Sequence, residues 1–413
     1  MIKKTFFILL TFLGFAGFAQ DNTASPYSFF GVGTNKFSGT VENRVMGGLG
    51  IKSDSIHINL QNPAGYAGLG LTTFSVGASH TSNTISDNIS ESKVTATGLD
   101  YVALAFPAGK FGFGFGLKPF SSVGYEMGDF TDDREASFSG SGGVNKLYLG
   151  AAYQVLPELS VGVEGGYYFG NIKNKSILRQ QNVQFGTREK NRSDLSGFRF
   201  NFGTHYEKML TDKLQLTASA TYAPASTLNA KNERQLATIV LNLGDDELVA
   251  EEREVVVADS ELDLGAVSSF GAGIGQPRKW FAGFEYQITE ANKFSNRSYS
   301  LNNVAFNTAH SYKLGGYYIP NFNDVTGYFK RVTYRAGLRY EELGLAINQE
   351  SIDEFGISFG VGLPAGDFLT NINLGVEYGQ RGTTKNNLVE EKFFSFFVGL
   401  SLNDKWFIKR KYN

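Results

Sequence analysis

The chain contains no cysteine and little proline or tryptophan: of its 413 residues, 9 are proline and 2 are tryptophan. The absence of cysteine excludes a disulfide framework, a thiolate metal site and a lipid-modified cysteine anchor. A net charge of −2 argues against a nucleic-acid-binding protein driven by bulk electrostatics. Beyond residue 20 the chain also lacks any run of about 20 apolar residues, so no membrane helix is expected there.

Glycine and aromatic residues are abundant instead, with 49 glycines, 36 phenylalanines and 20 tyrosines. The chain begins with two lysines, an apolar run from Phe6 to Phe18, and the small residues Gly17 and Ala19. This arrangement predicts a secretory signal peptide at 1–19, because the apolar run is too short to span a bilayer comfortably. Soluble domains rarely combine a signal peptide with so many aromatic residues.

Apolar and small or polar residues alternate almost everywhere after residue 70. In KFGFGFGLKPF, residues 110–120, the phenylalanines share one strand face and the glycines share the other. Glycine weakens a strand and packs nothing, so a soluble sandwich would fill that face. The pattern therefore predicts lipid-facing phenylalanines and lumen-facing glycines; the glycines are Gly112, Gly114 and Gly116.

Fourteen such segments lie between residues 71 and 403, joined alternately by short, mostly proline-marked turns and by longer polar loops. Short turns on one side and long loops on the other are typical of outer-membrane barrels. The predicted fold is an all-β, fourteen-stranded antiparallel transmembrane barrel in the bacterial outer membrane. The residues predicted to face outward include Phe111, Phe113, Phe115, Trp280, Phe284, Tyr334, Val376 and Phe396.

The predicted barrel, 71–403, is flanked by two further segments. Residues 404–413 form a basic tail that is expected in the periplasm. Residues 20–70 are too short and too polar for a domain with its own core. Such a segment either hangs in the periplasm or fills the lumen, and lumen-facing glycines favour an N-terminal hatch.

The segment SIHINLQNPAGYAGLGLTTFSVGASH resembles the end of the N-terminal hatch and the first strand of FadL-like outer-membrane proteins. Asn62, Pro63 and Ala64 match the family's turn into the barrel, and residues 139–170 resemble its central hairpin. The chain looks like a divergent branch, similar in layout to PorV-like barrels. The resemblance implies fourteen strands, a plug formed after the signal peptide, and a kinked third strand that opens the wall sideways for apolar substrates.

Lys118 and Pro119 mark the predicted kink in strand three. Proline cannot donate a ladder hydrogen bond, so it belongs at an edge or a bulge. An unmet backbone group in lipid costs several kcal/mol, so a break inside the membrane would have to be lined by protein or water. The alternative is that Pro119 lies above the hydrocarbon, where it disturbs nothing.

No catalytic or metal-binding pattern stands out. The four histidines (His57, His80, His205 and His310) have no metal spacing, and no nucleophile is paired with a base. Inward-facing charges predict a buried ion-pair lattice that supports the hatch rather than carboxylate catalysis, because charges removed from water must be paired. Its predicted members are Arg199, Arg335, Arg339, Glu285, Glu341 and Glu377.

The acidic stretch 245–263 lies in the longest predicted loop, 225–263. It is either a solvated extracellular loop or a surface that faces a cation or a partner.

Two functions fit this sequence, neither of them enzymatic. The first is passive uptake of a small hydrophobic molecule with a lateral opening at strand three. The alternative is a non-catalytic barrel subunit of a larger outer-membrane machine for secretion or barrel assembly. Expected partners are outer-membrane lipids and either a small hydrophobic ligand or the other subunits of a machine, with no cofactor and no nucleic acid.

Overall fold

Fourteen antiparallel strands form a closed barrel in the computed structural model, which describes residues 23–241, 247–291, 303–365 and 370–405. Each strand pairs with its neighbours in chain order, and the last strand closes on the first with Asp404 opposite Thr72. This confirms the predicted all-β antiparallel barrel. The strands are β1 Thr72–Ser86, β2 Glu91–Ala108, β3 Phe111–Phe130, β4 Arg134–Leu156, β5 Leu159–Gln180, β6 Gly186–Met209, β7 Gln215–Ala223, β8 Val267–Gln276, β9 Trp280–Thr289, β10 Ala309–Tyr318, β11 Thr333–Ile347, β12 Glu350–Ala365, β13 Thr370–Gly382 and β14 Glu390–Asp404.

Side chains alternate between the outer wall and the interior along each strand, as the period of two requires. On β3, Phe111 and Phe115 are 48% and 44% exposed, whereas Gly112 and Gly114 are buried. None of the eight side chains predicted to face outward is buried. The apolar face of the strands therefore forms the wall of the barrel and not a protein core.

Strands β3 to β6 are much longer than a membrane requires. They contain 20, 23, 22 and 24 residues, whereas about 9–11 residues suffice to cross the bilayer. The additional length extends to the ends of the strands joined by the connections 131–133 and 181–185.

The predicted long loop at 225–263 is wrong. Its described residues form the strands Ser226–Leu241, Glu247–Val255 and Ser260–Leu264. The first of these pairs with the outer part of β6, from Gly186 opposite Ile239 to Ser196 opposite Asn229. Much of this sheet projects into water, so its strands do not need alternating apolar and polar residues. An acidic sequence without this alternation cannot be recognised as a strand from the pattern alone.

Residues 23–70, the N-terminal segment, contain only short elements: 3-10 helices Pro26–Phe29 and Pro63–Gly68, the strand Thr34–Asn35 and the helix α1 Val41–Arg44. Apolar side chains of the segment, including Val41, Leu60 and Tyr66, form one buried cluster with Tyr101 of β2 and Tyr148 of β4. The segment therefore shares its core with the inner side of the barrel.

The remaining short elements are the helix α2 Tyr328–Arg331, the 3-10 helix Lys385–Asn387 and the strand Val304–Phe306. No helix among the described residues is long and apolar enough to cross a membrane. The predicted signal peptide and all of the basic tail beyond Lys405 lie outside the described residues. These two assignments, and the naming of residues 20–70 as a hatch, stay predictions.

Candidate functional site: the lumen and the outer wall

Inward-facing glycines of β3 and β4 lie directly against the N-terminal segment. A Cβ atom on Gly112 would lie 2.0 Å from the carbonyl oxygen of Tyr66. Gly114 and Gly150 would bring their Cβ atoms within 2.8 and 2.7 Å of the Tyr66 ring. Only residues without a side chain permit this approach of backbone to backbone. A Cβ on Gly116 would instead meet Val102 and Tyr148.

The predicted hatch turn begins the 3-10 helix Pro63–Gly68. Asn62 caps the helix by accepting a hydrogen bond from the backbone N–H of Ala64 at 3.0 Å, and Pro63 occupies the first helical position. The amide of Asn62 also donates to the carbonyl oxygen of Thr204 on β6 at 2.9 Å. Asn62 therefore connects the end of the N-terminal segment to the barrel wall.

A buried network of charges surrounds Arg339 on β11. Its guanidinium donates to Glu377 at 2.9 Å and to Glu354, and all three side chains are at most 4% exposed. Glu341 lies 3.7 Å away. From the N-terminal segment, Arg44 donates to the same Glu377 oxygen at 2.7 Å. One carboxylate thus joins the segment to the wall.

The network continues around the barrel to β14. Arg381 donates to Glu354 at 2.5 Å and to Glu391 at 3.2 Å, and Ser25 of the N-terminal segment donates to Glu391 at 2.5 Å. Separate pairs join Lys313 to Glu285 at 2.8 Å and Lys146 to Glu164. These contacts satisfy charges that would otherwise be costly in the interior.

Arg199 and Arg335 differ from the predicted ion-pair lattice. Within the described residues neither forms an ion pair. Arg199 donates to the backbone carbonyl oxygens of Ala223, Pro224 and Gly265. Arg335 donates to the amide oxygen of Asn373 at 3.0 Å, and the same amide donates to Glu42 at 2.7 Å. Strand parity predicts that these arginines face inward, but it does not specify their partners.

Sequence reasoning missed most of the network. Among the acids it omitted Glu42, Glu164, Glu354 and Glu391. Among the bases it omitted Arg44, Lys146, Lys313 and Arg381. The wall residues among them were detectable, because each lies at an inward position of a strand whose alternation is clear. Glu42 and Arg44 lie in the N-terminal segment, which has no such alternation.

The pairing of β3 changes at the predicted kink. Its ladder with β2 runs from Ala108 opposite Phe111 to Val102 opposite Leu117 and ends there. The ladder with β4 continues past Pro119, with a register shift at the next residue. The N-terminal segment then bonds the free edge of β3, with Thr34 opposite Ser122.

Two cavities lie in the described part of the interior. The larger, of about 360 Å³, is lined by charged groups that include Arg44, Asp100 and Glu391. The smaller, of about 220 Å³, lies beside Lys118 and Pro119 and is also lined by Lys146 and Arg199. The lining of each combines charged, hydroxyl and amide groups with apolar side chains.

Asp54 and His57 form a charged pair where the N-terminal segment turns, outside the strands. The carboxylate accepts from the His57 ring at 2.7 Å. Burial favours the neutral acid, but the charge and hydrogen bond of His57 outweigh it and hold the pKa of Asp54 well below its usual range. Burial likewise disfavours imidazolium, yet the charge of Asp54 raises the pKa of His57. Both pKa shifts favour the ionised pair, which stabilises the turn.

A shallow apolar groove of about 1000 Å³ crosses the outer wall from β9 to β14. Its floor consists of three small residues that lie opposite one another: Ala282, Gly316 and Ala336. Larger side chains border this floor, with Leu314 and Leu338 in one row and Tyr318 and Tyr334 in the other, and Ile357, Phe359 and Val361 of β12 continue the lining. We call this feature the outer groove.

The architecture is that of a FadL-type fourteen-stranded transmembrane barrel. The toluene transporter TodX of Pseudomonas putida has a similar structure, with a TM-score of 0.57 at 16% identity over 90% of this chain and 99% of that one. A FadL homologue of Pseudomonas aeruginosa gives a TM-score of 0.58 at 13% identity over 91% of this chain and 99% of the other. At such identities the likeness concerns the fold.

The chain belongs to the BamG family, whose model matches residues 1–413. No curated protein sequence matches it. The sequence resemblance to FadL-like proteins is confirmed, and the BamG match fits the predicted divergent branch.

Proposed function

We propose that this chain is a non-catalytic barrel subunit of a larger machine in the bacterial outer membrane that assembles barrels or secretes proteins. The outer groove is the observation that carries the proposal, because a subunit needs a contact patch on its wall. Membership of the BamG family fits a place in such a machine.

Small residues permit the close approach that protein contacts in a membrane require. Without a hydrophobic driving force between proteins in lipid, association depends on packing, and interfaces there are enriched in glycine and alanine. The groove presents Ala282, Gly316 and Ala336 on three adjacent strands. A partner that fits between the bordering rows gains contacts that flexible lipid chains make less well.

The interior supports the same proposal. The N-terminal segment contacts the inward glycines, and its Arg44 shares Glu377 with Arg339. Charged side chains line both described cavities, so neither offers a continuous apolar path to a hydrophobic molecule. A lumen of this kind suits a rigid scaffold.

A single cysteine tests the contact directly, because the natural chain has none. Ala336→Cys places one thiol on the groove floor. In native membranes, a reagent with a thiol-reactive maleimide at one end and a photoactivated group at the other should crosslink this variant to an outer-membrane protein, because the photoactivated group inserts into C–H or N–H bonds of a seated partner within its reach. The readout is a heavier band that contains both proteins, followed by identification of the partner by mass spectrometry.

Ala151→Cys is the matched control. Ala151 also faces outward, opposite Phe113 and Val163 on the neighbouring strands and away from the groove. Adducts that form equally at both positions, or at neither, contradict the groove as the contact site.

Passive uptake through a lateral opening is the second candidate. The observation that favours it is the end of the β2–β3 ladder at Leu117, and one structural neighbour is described as a toluene transporter. Against it, the N-terminal segment bonds the free edge of β3, with the N–H of Lys36 donating to Phe120 at 2.9 Å. A buried lysine, Lys118, also lies at the break.

Pro119→Ala separates the two functions. Alanine restores the backbone N–H donor that proline lacks. Hydrogen bonds between the strands can then form across the break, and a lateral path would narrow. If the break is a transport path, toluene uptake by cells that depend on this protein should fall several-fold. Unchanged uptake, with equal amounts of folded barrel, removes lateral transport and leaves the subunit proposal.

A further inference from the structure

We propose that the smaller cavity, beside the strand-three break, is a binding site for a small oxyanion of the phosphate or carboxylate class, held between Lys118 and Arg199. This inference is independent of the subunit function.

Charge in this cavity is unbalanced. Four cationic side chains line it, Lys36, Lys118, Lys146 and Arg199, and the one lining carboxylate is Glu285. Glu285 is already bound to Lys313 at 2.8 Å and to the N–H of Gly50 at 2.7 Å. A buried cation without a counter-ion is costly, so an excess of positive charge indicates that an anion completes the site.

Two of these cations retain unused donors. Lys118 is 4% exposed and donates to the carbonyl oxygens of Ser38 at 2.9 Å and Leu60 at 2.8 Å. An ammonium group has three donors, so one is left without an acceptor among the described residues. Arg199 is 7% exposed, and Nε and Nη2 make its three carbonyl bonds, which leaves Nη1 without a described acceptor. Carbonyl groups satisfy donors but do not neutralise charge.

The other two cations are compensated. Lys146 pairs with Glu164, and its ammonium also lies 5.6 Å from the centre of the Tyr168 ring. Lys36 experiences the favourable charge of Asp100. Lys118 lies 5.5 Å from the centre of the Tyr148 ring, but neither it nor Arg199 forms an ion pair with a carboxylate of the described residues.

Neutral donors line the same space. Thr221 and Ser269 lie opposite each other on β7 and β8, and both line the cavity with Asn201. Hydroxyl and amide groups complement the oxygens of an anion. A volume of about 220 Å³ is below the range of about 300–1,000 Å³ that is typical of drug-sized ligands. The site therefore suits a small polar anion and not a long acyl chain.

Calorimetric titration of the purified full-length protein, in detergent and low-salt buffer without other oxyanions, tests the site. The probes are inorganic phosphate and glycerol 3-phosphate. We expect saturable binding that weakens as salt rises. Equal affinities would identify the free ion as the ligand, whereas tighter binding of the ester would identify an organic phosphate such as a headgroup.

Arg199→Met and Lys118→Met should each weaken binding about tenfold or more, since each removes a charged donor. Arg192→Met is the matched control, because Arg192 lies on the same strand, β6, with its side chain 47% exposed. The control should bind like the natural protein. If the two cavity variants fail to fold, Thr221→Val replaces them and should weaken binding less but measurably. No saturable heat from the natural protein with either probe, or unchanged affinity in folded cavity variants, overturns the proposal.

Discussion

Replacing Arg339 with methionine should lower the free energy of unfolding of the barrel by about 3–5 kcal/mol, the usual cost of removing one partner from a buried ion pair. Arg339 and its partners Glu354 and Glu377 are at most 4% exposed. Without the guanidinium, two buried carboxylates lose their shared counter-ion. Arg44 and Arg381 still contact them, so the barrel should fold but unfold at lower denaturant concentration. Urea titration in detergent micelles measures the difference.

Arg134→Met is the reference for this experiment. Arg134 also pairs with a carboxylate, Asp129, but the two side chains are 48% and 53% exposed. Exposed pairs contribute about 0–1 kcal/mol, so this variant should differ little from the natural protein. A second comparison adds Glu354→Gln and Glu377→Gln to Arg339→Met, which should recover part of the loss. Equal effects of Arg339→Met and Arg134→Met would contradict a structural role for the buried network.

Gly112→Leu should release the N-terminal segment from the barrel. A Cβ atom at this position would lie 2.0 Å from the Tyr66 oxygen and 2.3 Å from its carbonyl carbon, so backbone must move. The rest of a leucine side chain would add to this steric overlap with the N-terminal segment. In the natural protein the segment should resist trypsin at Arg44 and Lys52, since Arg44 is bound to Glu377 and Lys52 to Glu207. In the variant both sites should be cut while the barrel stays intact, and ion conductance in planar bilayers should rise.

Gly165→Leu is the control for the glycine experiment. This glycine faces outward, and the nearest atom to an added Cβ belongs to the Phe200 ring at 3.4 Å. A leucine there meets a side chain that can move, so the segment should stay protected. Continued protection of Arg44 and Lys52 in Gly112→Leu would contradict the prediction that this segment is a hatch.

Sequence alternation predicts the barrel well, because a half-buried strand has the same period in water and in lipid. On β3 the repeat of phenylalanine and glycine identifies both faces, and the proline-marked turns separate the strands. Alternation fails where both faces are solvated. The acidic sequence around Glu251 and Glu252 shows no apolar face, yet these residues pair with Thr238 and Ala237. The register of these strands is set by the strands with which they pair.

The interior was harder to predict, because its contacts join positions far apart in the chain. Parity predicts that Arg339 and Glu377 face inward, but Arg44, the second donor to Glu377, lies 333 residues away in the chain. The N-terminal segment has little regular secondary structure, so no period indicates which of its side chains are buried. For Arg199, strand parity predicts the inward orientation of the side chain. It does not predict the carbonyl partners, because these depend on how β7 ends.

Purification of the tagged protein from native membranes in mild detergent tests the central claim most directly. If the chain is a machine subunit that binds through the outer groove, other outer-membrane proteins should copurify in fixed stoichiometry. They should be lost from Ala336→Trp, which fills the groove floor, and retained by Ala151→Trp. A barrel that purifies alone, or companions that are retained equally by both variants, would contradict the account.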